Sequence, residues 1–360
     1  MRIVSIVGAR PQFVKAAAVS RELRTKHDEV LVHTGQHYDD NMSRVFFDEL
    51  GIPKPDHNMG VGSDGHGSQT GRMLAGIERI LLKTKPDCVL VYGDTNSTLA
   101  GALAAAKLHI PVAHMEAGLR SFNRKMPEEI NRVLTDHVSS ILFCPSRTAV
   151  SNLKREGVTK GVHLVGDVMH DALLFASRRA TKKSAILRSL GLIQKEFLLA
   201  TVHRAENTDD PNRLRAIMIA LQELAEVEPV VFPVHPRTRK RLKSLGAVPK
   251  GKRFHLIDPV GYLDMVMLEQ SARMILTDSG GIQKEACWLK VPCLTLRDET
   301  EWVETVAAGW NKLVGADSKK IVRAARFFRP SLRNPDLYGN GHSARLCLSL
   351  LSRWGGADAN

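Results

Sequence analysis

Apolar residues in this chain gather in short runs that end at turn residues, and between the runs the apolar spacing relaxes to a helical period. IVSIVG, EVLVHTG, CVLVYGD, PVAHMEAG and ILFCPS read as buried strands, and intervening segments such as Ser97 to Leu108 read as helices. After the charged stretch RRATKKSAILRS the pattern restarts, with FLLATVH, PVVFPVH, FHLIDP, MILTDS and PCLTLR each leading into a helix-like segment. The runs are continuous rather than alternating, as strands covered on both faces of a parallel sheet require. Two successive β–α series therefore predict an α/β protein of two Rossmann-like, doubly wound parallel-sheet domains. The boundary is expected between positions 170 and 195, giving a first domain over 1–175, a second over 176–345, and a terminal helix and tail over 346–360. Within the last stretch, LYGNGHSARLCLSLLSRW supplies turn signals and then an amphipathic segment from Ala344 to Trp354, read as a terminal helix that closes one domain or crosses to the other.

Ligands of doubly wound sheets bind beyond the carboxyl ends of the strands. Every polar cluster of note sits at such an end: Gly8-Ala9-Arg10-Pro11, His33 to His37, Gly93-Asp94-Thr95 and Glu116 to Arg120 in the first half, then His203-Arg204, His235-Pro236-Arg237 and Asp278-Ser279-Gly280-Gly281 in the second. The common placement predicts one cleft faced by the strand ends of both domains.

Composition narrows the classes. With 43% apolar and 25% charged residues in 360, the chain reads as an ordinary globular protein with ample core. The first apolar run is broken by Gly8-Ala9-Arg10-Pro11, unlike a signal peptide, and no run approaches the roughly 20 apolar residues of a membrane helix, so a cytoplasmic protein without a membrane partner is expected. The five cysteines, Cys88, Cys144, Cys287, Cys293 and Cys347, are scattered and mostly lie in apolar runs, which reads as reduced core thiols rather than disulfides or a zinc site. A net charge of +13 suits nucleic acid, an anionic surface or an acidic small substrate. The positive charge is dispersed, aromatics are 5%, and no nucleic-acid motif occurs, which favours a solvated basic face over a nucleic-acid-binding patch.

Each candidate motif has a bland rival. Gly60-x-Gly62-x-x-Gly65 matches the dinucleotide fingerprint in letters, but it follows Ile-Pro-Lys-Pro-Asp rather than a predicted strand and no helix is expected to open from it, so no nicotinamide cofactor is predicted. TDSGGIQKEA is better placed: a strand ends at Asp278, and Ser279-Gly280-Gly281 lets backbone N–H groups at a helix start approach a diphosphate, with Glu285 in position to accept from sugar hydroxyls. Its rival is a Gly-rich tight turn with a dipole-matched Glu. Arg10 and Lys15 offer a second cationic lip, against the rival of a surface Arg. Asp94 and Glu116 end buried strands, where carboxylates are costly unless paired or functional; for Asp94 an N-cap is the structural alternative. His33, His37, His203 and His235 lack metal-ligand spacing, so no metal is expected, and a His facing phosphate is the more economical reading. In MPEEINR, Pro127 and the adjacent Glu128 and Glu129 suit a helix start whether or not they perform chemistry.

The order GARPQFVK, GDTNSTLAGALAA, HMEAGLRS, MPEEINR, TVHRAENTDD, DSGGIQKEA and RDETEW resembles the non-hydrolysing UDP-N-acetylglucosamine 2-epimerases, from residue 3 to about residue 345. The resemblance implies a glycosyltransferase-B type fold, a cytoplasmic homodimer, a UDP-sugar substrate and neither nicotinamide nor metal. It implies elimination of UDP to a glycal and re-addition, chemistry that demands positioned acid/base groups because the C2 hydrogen is not acidic. It maps the functional carboxylates onto Asp94, Glu116 and Glu128, with His203 near the diphosphate and Glu129 left as the dipole-matched helix residue. Arg10, Ser279, Gly280, Gly281 and Glu285 match nucleotide-binding positions, Lys15 and His235 join the substrate-binding set, and Asn131 and Arg132 accompany the acids.

Departures from the family pattern carry information. Trp302-Val303 stands where an Arg-Pro is common, removing a cation near the ligand, and Met265 stands where an aromatic is usual. The segment from Gln36 to Met42 differs from the one associated with activation by a second substrate molecule, so no such activation is expected. TNSTLAGALAA, RSFN, HPRTR and LYGNG look closest to the subgroup acting on UDP-2,3-diacetamido-2,3-dideoxy-glucuronate, whose extra carboxylate would want Arg124, Lys125 or Arg204. The rival classes are a UDP-sugar-dependent glycosyltransferase of the same fold, a hydrolysing 2-epimerase and, most remotely, a basic nucleic-acid-binding protein.

Overall fold

A computed structural model of the chain describes residues 1–36, 51, 53–331 and 337–357, except the side chains of Arg10 and 355–357. The described residues form two compact units, Met1–Leu174 with Tyr338–Asn360, and Phe175–Leu337.

The first unit is built on a seven-stranded parallel sheet among the described residues, in the order β3-β2-β1-β4-β5-β6-β7. Its strands are β1 (Arg2–Val7), β2 (Asp28–His33), β3 (His57–Asn58), β4 (Cys88–Tyr92), β5 (Val112–Met115), β6 (Ile141–Cys144) and β7 (Val162–Leu164). The helices are α1 (Arg10–Leu23), α2 (His66–Thr84), α3 (Asn96–Lys107), α4 (Pro127–Val138), α5 (Arg147–Arg155) and the start of α6 (Val168–Lys183), whose residues from Phe175 onward belong to the second unit. β4 is buried over its whole length, as helices on both faces require. One face packs Val4, Ile6, Val89 and Val91 against Met73, Ile77 and Leu81 of α2. Strand order reverses between β1 and β4, so the turns after Val7 and Tyr92 open at the switch point where such sheets bind ligands.

The second unit continues with α7 (Ile186–Ser189), α8 (Ala205–Thr208), α9 (Pro211–Ala225), α10 (Pro236–Ser244), α11 (Tyr262–Ser271), α12 (Gly280–Trp288), α13 (Val303–Ala307) and α14 (Ser318–Phe327). Its six-stranded parallel sheet has the order β10-β9-β8-β11-β12-β13, with β8 (Leu198–Thr201), β9 (Val230–Pro233), β10 (Phe254–Ile257), β11 (Met274–Thr277), β12 (Cys293–Thr295) and β13 (Asn311–Leu313). Leu198 and Ala200 pack on one side while Phe197 and Leu199 pack on the other, which is why FLLATVH reads as an unbroken apolar run. The switch point lies between β8 and β11, at His203 and Asp278.

The ten predicted strand runs all appear as strands. The three unpredicted strands, β3, β7 and β13, are two or three residues long and lie at sheet edges, too short to write an apolar period. Where the sequence reading carries the second domain to 345, the chain rejoins the first unit at Tyr338. Asp167 N–H donates to Tyr338 O at 2.7 Å, and the half-buried Asp171 carboxylate accepts from Ser343 and Ala344 N–H at 3.1 and 3.0 Å. Asp171 thus supplies the N-terminal acceptor for α15 (Ser343–Ala357), which packs on α1, while Ser352 Oγ lies 2.9 Å from Nε2 of His27 in the turn after α1.

The glycine-rich Gly60 to Gly65 stretch needs correcting. It does lie between a strand, β3, and a helix, since Gly65 is the N-cap of α2. The turn is at the sheet edge rather than the switch point, and the N–H groups of Val61 and Gly62 donate to Thr34 O and Gly35 O at 3.0 and 2.9 Å. A pyrophosphate therefore finds those donors already engaged.

Candidate active site

In the first unit, four sequence-distant segments converge around Gly93. Lys15, on the second turn of α1, is buried and ion-paired with Glu116. Burial alone pushes the Lys15 ammonium toward a lower pKa, but Glu116, with Asp167 and Asp94 beyond it, holds the value above the ordinary lysine range. A Cβ on Gly93 would lie 3.4 Å from both Glu116 Oε2 and Lys15 Nζ, and Gly93 has φ +63°, so this turn is left-handed and open directly over the ion pair.

Glu116 also has a left-handed backbone, φ 75°, which is unusual for a residue with a side chain. The N–H groups of Glu116 and Ala117 both donate to Phe143 O, at 3.1 and 3.0 Å, and hold the kink that turns the carboxylate off the end of β5. Asp94 pairs with Arg132 of α4, while its carbonyl accepts from Asn131 Nδ2 at 2.9 Å. The N-cap of α3 is Thr95, not Asp94, so the capping alternative does not account for the Asp94 carboxylate. Asp94, Glu116, Lys15, Asn131 and Arg132 thus form one constellation of two carboxylates, each facing a cation.

The adjacent acids of MPEEINR separate completely. Glu128 is exposed, one helical turn before Arg132. Glu129 is buried, and its carboxylate accepts from Ser121 N–H at 2.9 Å, Ser121 Oγ at 2.8 Å and Phe122 N–H at 3.0 Å, with Arg132 Nη1 at 3.3 Å. Burial pushes its pKa up, but these donors and Arg132 outweigh it and leave the value below the ordinary range. The sequence reading of Glu129 as a helix-dipole residue is therefore incomplete: it clamps a turn in which Phe122 has φ 59° and, with Arg132, ties that turn to Asp94.

Several residues that organise this site went unread in the sequence. Gln12 is buried; its Oε1 accepts from Gly8 and Ala9 N–H at 2.7 and 2.9 Å, and its Nε2 donates to Tyr92 O at 2.7 Å, joining the two switch-point turns. His114 places Nε2 2.8 Å from Gly93 O and Nδ1 2.7 Å from Asp136 Oδ1. Asp136 also accepts from Gly118 N–H at 3.1 Å and Arg120 Nη1 at 2.7 Å, and Arg120 reaches Glu156 through two 2.7 Å bonds. The available signal was His114 itself, a polar residue interrupting the apolar run PVAHMEAG. Arg10 begins α1 with its side chain outside the described residues, as are His37 to Met42. His33 is buried against Phe13, ring centroids 5.0 Å apart, rather than lining this constellation.

The second unit assembles its cluster around the wholly buried Asp278. This carboxylate accepts from His203 N–H at 3.1 Å, Arg204 N–H at 3.0 Å and Asn207 Nδ2 at 3.1 Å, and lies 3.4 Å from His203 Nδ1. Burial lowers the His203 pKa, Asp278 opposes this, and Arg204 and His235 reinforce it, leaving the imidazole below its ordinary value. Ser279 N–H is engaged by Thr277 Oγ1 at 2.9 Å, so the donors free of intrahelical acceptors begin at Gly280 and Gly281, the first residues of α12. Arg204 Nη2 is 3.7 Å from where a Gly280 Cβ would stand. Glu285 is buried on the same helix. His235 is the N-cap of α10, with Nδ1 accepting from Arg237 N–H at 3.3 Å. Among the described residues no three His, Cys, Asp or Glu side chains converge as metal ligands.

A helix start whose first N–H groups have no intrahelical acceptor, with a cation nearby, suits a diphosphate, and strand-end carboxylates paired with cations suit proton transfer. A family profile described as UDP-N-acetylglucosamine 2-epimerase matches residues 21–352, and the chain belongs to this family of sugar-nucleotide epimerases. A Methanococcus maripaludis UDP-N-acetylglucosamine 2-epimerase homolog is 57% identical over 349 residues, covering 96% of this chain and 97% of that protein. The UDP-2,3-diacetamido-2,3-dideoxy-D-glucuronate 2-epimerase of Pseudomonas aeruginosa is 53% identical over 362 residues, covering 98% and 100%. The crystal structure of Methanocaldococcus jannaschii UDP-GlcNAc 2-epimerase in complex with UDP-GlcNAc and UDP superimposes with a TM-score of 0.82 at 46% identity, covering 98% and 100%. Two parallel-sheet α/β units and these relatives agree with the glycosyltransferase-B type of fold expected from the sequence.

Proposed function

We propose that this protein is a non-hydrolysing UDP-sugar 2-epimerase that inverts C2 of a UDP-linked 2-acetamido sugar. A base removes the C2 proton as the C1–O bond breaks, its electron pair leaving on the β-phosphate oxygen of UDP and a C1=C2 double bond forming. UDP then re-adds to C1 while C2 is protonated on the opposite face. The observation that carries this reading is the pairing of Asp94 with Arg132 and of Glu116 with Lys15 on either side of the Gly93 turn. Two carboxylates held in different surroundings suit proton removal from one face and delivery to the other. Asp94, Glu116 and Glu128 are the acid/base set, and Asn131 and Arg132 fix it. Arg10, His203, His235, Ser279, Gly280, Gly281 and Glu285 serve the nucleotide, with the dipole of α12 and Arg204 facing the diphosphate.

UDP-N-acetylglucosamine and UDP-2,3-diacetamido-2,3-dideoxy-glucuronate are the two candidate substrates, supported by relatives named for each at 48% and 53% identity. Incubation with each in deuterated water tests the proposal. The expected result is epimerisation of one of them with deuterium at C2 and UDP retained. Net release of UDP with free sugar would mean hydrolysis, and the absence of exchange with both would overturn the reading.

We further read the protein as a cytoplasmic homodimer. Its five cysteines are free and buried, as a reducing compartment favours, and no described helix is long and apolar enough to cross a membrane. The dimer reading rests on α4, whose polarity is inverted: Glu129, Asn131, Thr135 and Asp136 are buried, while Met126, Ile130 and Leu134 are exposed at four-residue spacing. A second copy seated on this stripe would cover it. Ile130→Glu is expected to convert the dimer to a monomer in light scattering, and a wild-type protein that is monomeric at micromolar concentration rules the dimer out.

A further inference from the structure

Many arginines on the surface of the second unit meet a carboxylate. Arg213 reaches Asp298, Arg237 and Arg241 share Asp209, Arg239 meets Asp258 and Arg273 meets Glu228. The stretch 318–331, which holds α14, departs from this habit: it carries five Lys and Arg residues and no Asp or Glu. Arg326 pairs with Glu223 of α9 at 3.0 Å. Asp317, the nearest carboxylate in sequence, is engaged as the N-cap of α14, accepting from Lys320 N–H at 2.9 Å.

Helix α14 buries Ile321, Val322, Ala324 and Ala325 in the core of the unit, which turns Lys320, Arg323 and Phe327 outward at i, i+3 and i+7. Beside it β13 is the edge strand of the sheet, with Lys312 exposed. Between helix and strand lies a cavity of about 700 Å³ lined by Lys312, Leu313, Lys320, Arg323, Phe327 and Arg329, with no acidic residue among the described residues that line it. It is separate from the cluster around Asp278. Ala325 O accepts from Arg273 Nη1 and Nη2, each at 3.3 Å, and Arg273 immediately precedes β11, so the last turn of α14 lies by the amino end of β11 while Asp278 follows its carboxyl end.

Two of the lining cations have structural work. Arg329 Nη1 donates to Arg326 O and Phe328 O, both at 3.0 Å, at the helix end, and a lysine on an edge strand such as Lys312 discourages pairing with another sheet. Lys320 and Arg323 have no carboxylate partner among the described residues, and Lys320 stands in the first turn of α14, where the helix dipole disfavours a cation. Phe327 is 73% exposed, a large apolar ring set among these charges. Like charges around one concavity repel, and a bare aromatic ring gains nothing from water. A molecule that brings phosphate to the cations and a flat ring to Phe327 relieves both costs. The volume is that of a small-molecule site, and a concavity suits such a molecule better than a lipid surface does.

We propose that this cavity binds a nucleoside phosphate, with the phosphates on Lys320 and Arg323 and the base stacked on Phe327. The site is additional to the UDP-sugar site and does not depend on that reading.

The test is titration calorimetry of the full-length protein with ATP and, separately, inorganic pyrophosphate, both with saturating UDP present. Wild type should bind both, ATP more tightly, and more weakly as salt rises. The Lys320→Gln/Arg323→Gln double variant should bind each about ten-fold more weakly or worse, with melting temperature and epimerisation rate within about two-fold of wild type because both side chains are exposed. Phe327→Ala should lose about five-fold for ATP and nothing for pyrophosphate, since only ATP has a base to stack. Lack of ATP binding at millimolar concentration overturns the proposal, as do ATP binding that the double variant leaves within two-fold and ATP binding that saturating UDP abolishes. Capture of the protein by phosphatidylglycerol vesicles without ATP binding, lost in the double variant, would assign the cations to lipid headgroups and overturn it as well.

Discussion

Glu116→Gln is expected to lower kcat by about 10³-fold or more, the scale of a lost general acid/base group, while UDP affinity changes only a few-fold. Glutamine keeps the size of the side chain and can still accept a hydrogen bond from Lys15, so the left-handed turn at Glu116 should survive and the protein should fold. What disappears is the negative charge facing the buried ammonium and the capacity to take or return a proton. Lys15 then loses its nearest counter-charge, and burial pushes its pKa down toward the neutral form. Glu128→Gln should likewise abolish turnover with UDP binding retained, without the cost at Lys15, because Glu128 is exposed. Steady-state kinetics, UDP calorimetry and deuterium wash-in at C2 read the effects. A Glu116→Gln enzyme within ten-fold of wild-type kcat would remove Glu116 from the acid/base set.

Asp136→Asn should be the most damaging change outside the acid/base set, costing about 3–5 kcal/mol of stability, as breaking a buried ion pair by removing one partner does. The carboxylate receives His114 Nδ1, Arg120 Nη1 and Gly118 N–H, and both it and Arg120 are almost wholly buried. An amide offers one acceptor oxygen and no charge, so Arg120 loses its buried ionic partner, and His114 Nδ1 keeps its contact only by accepting from the amide NH₂. Activity should fall too, because His114 links Asp136 to Gly93 O at the turn between Asp94 and the Lys15–Glu116 pair. Burial raises the Asp136 pKa, but His114 and Arg120 outweigh it and the folded value is below that of a free Asp. A depressed carboxylate contributes its stability above the unfolded value, near 4, and loses it as pH falls through the folded value. The stability gap between wild type and Asp136→Asn, measured by denaturant unfolding, should therefore be full at pH 7 and narrow as pH drops below about 4. A gap that stays constant from pH 7 to below that window would show that the charge of Asp136 is not what stabilises the fold.

The fold was largely legible because buried parallel strands must be apolar on both faces, which writes continuous runs such as CVLVY and MILT into the chain. Strand-end chemistry was legible for a related reason. Polar residues cannot continue a buried strand at no cost, so Asp94, Glu116 and Asp278 mark both the end of a run and the place where a ligand meets the sheet. Ordered motifs carried the family, since residue identity at fixed local spacing is stored in the sequence itself.

Pairing was not legible. Lys15 and Glu116 are 101 residues apart, and nothing local distinguishes that lysine from one on a solvated helix face. For Asp94 the sequence left an N-cap open as the structural alternative, and the fold gives the cap to Thr95 and the carboxylate to Arg132. The adjacent Glu128 and Glu129 are chemically alike in sequence, yet helix α4 turns its polar side inward, so one carboxylate is exposed and the other clamps the Phe122 turn. Local periodicity by itself determined two parallel α/β series and their strand ends, and the ordered motifs determined the family. Only the tertiary structure decided which charges meet, which carboxylates are desolvated and which turns are held in left-handed conformations, because those energies depend on groups brought together across the chain.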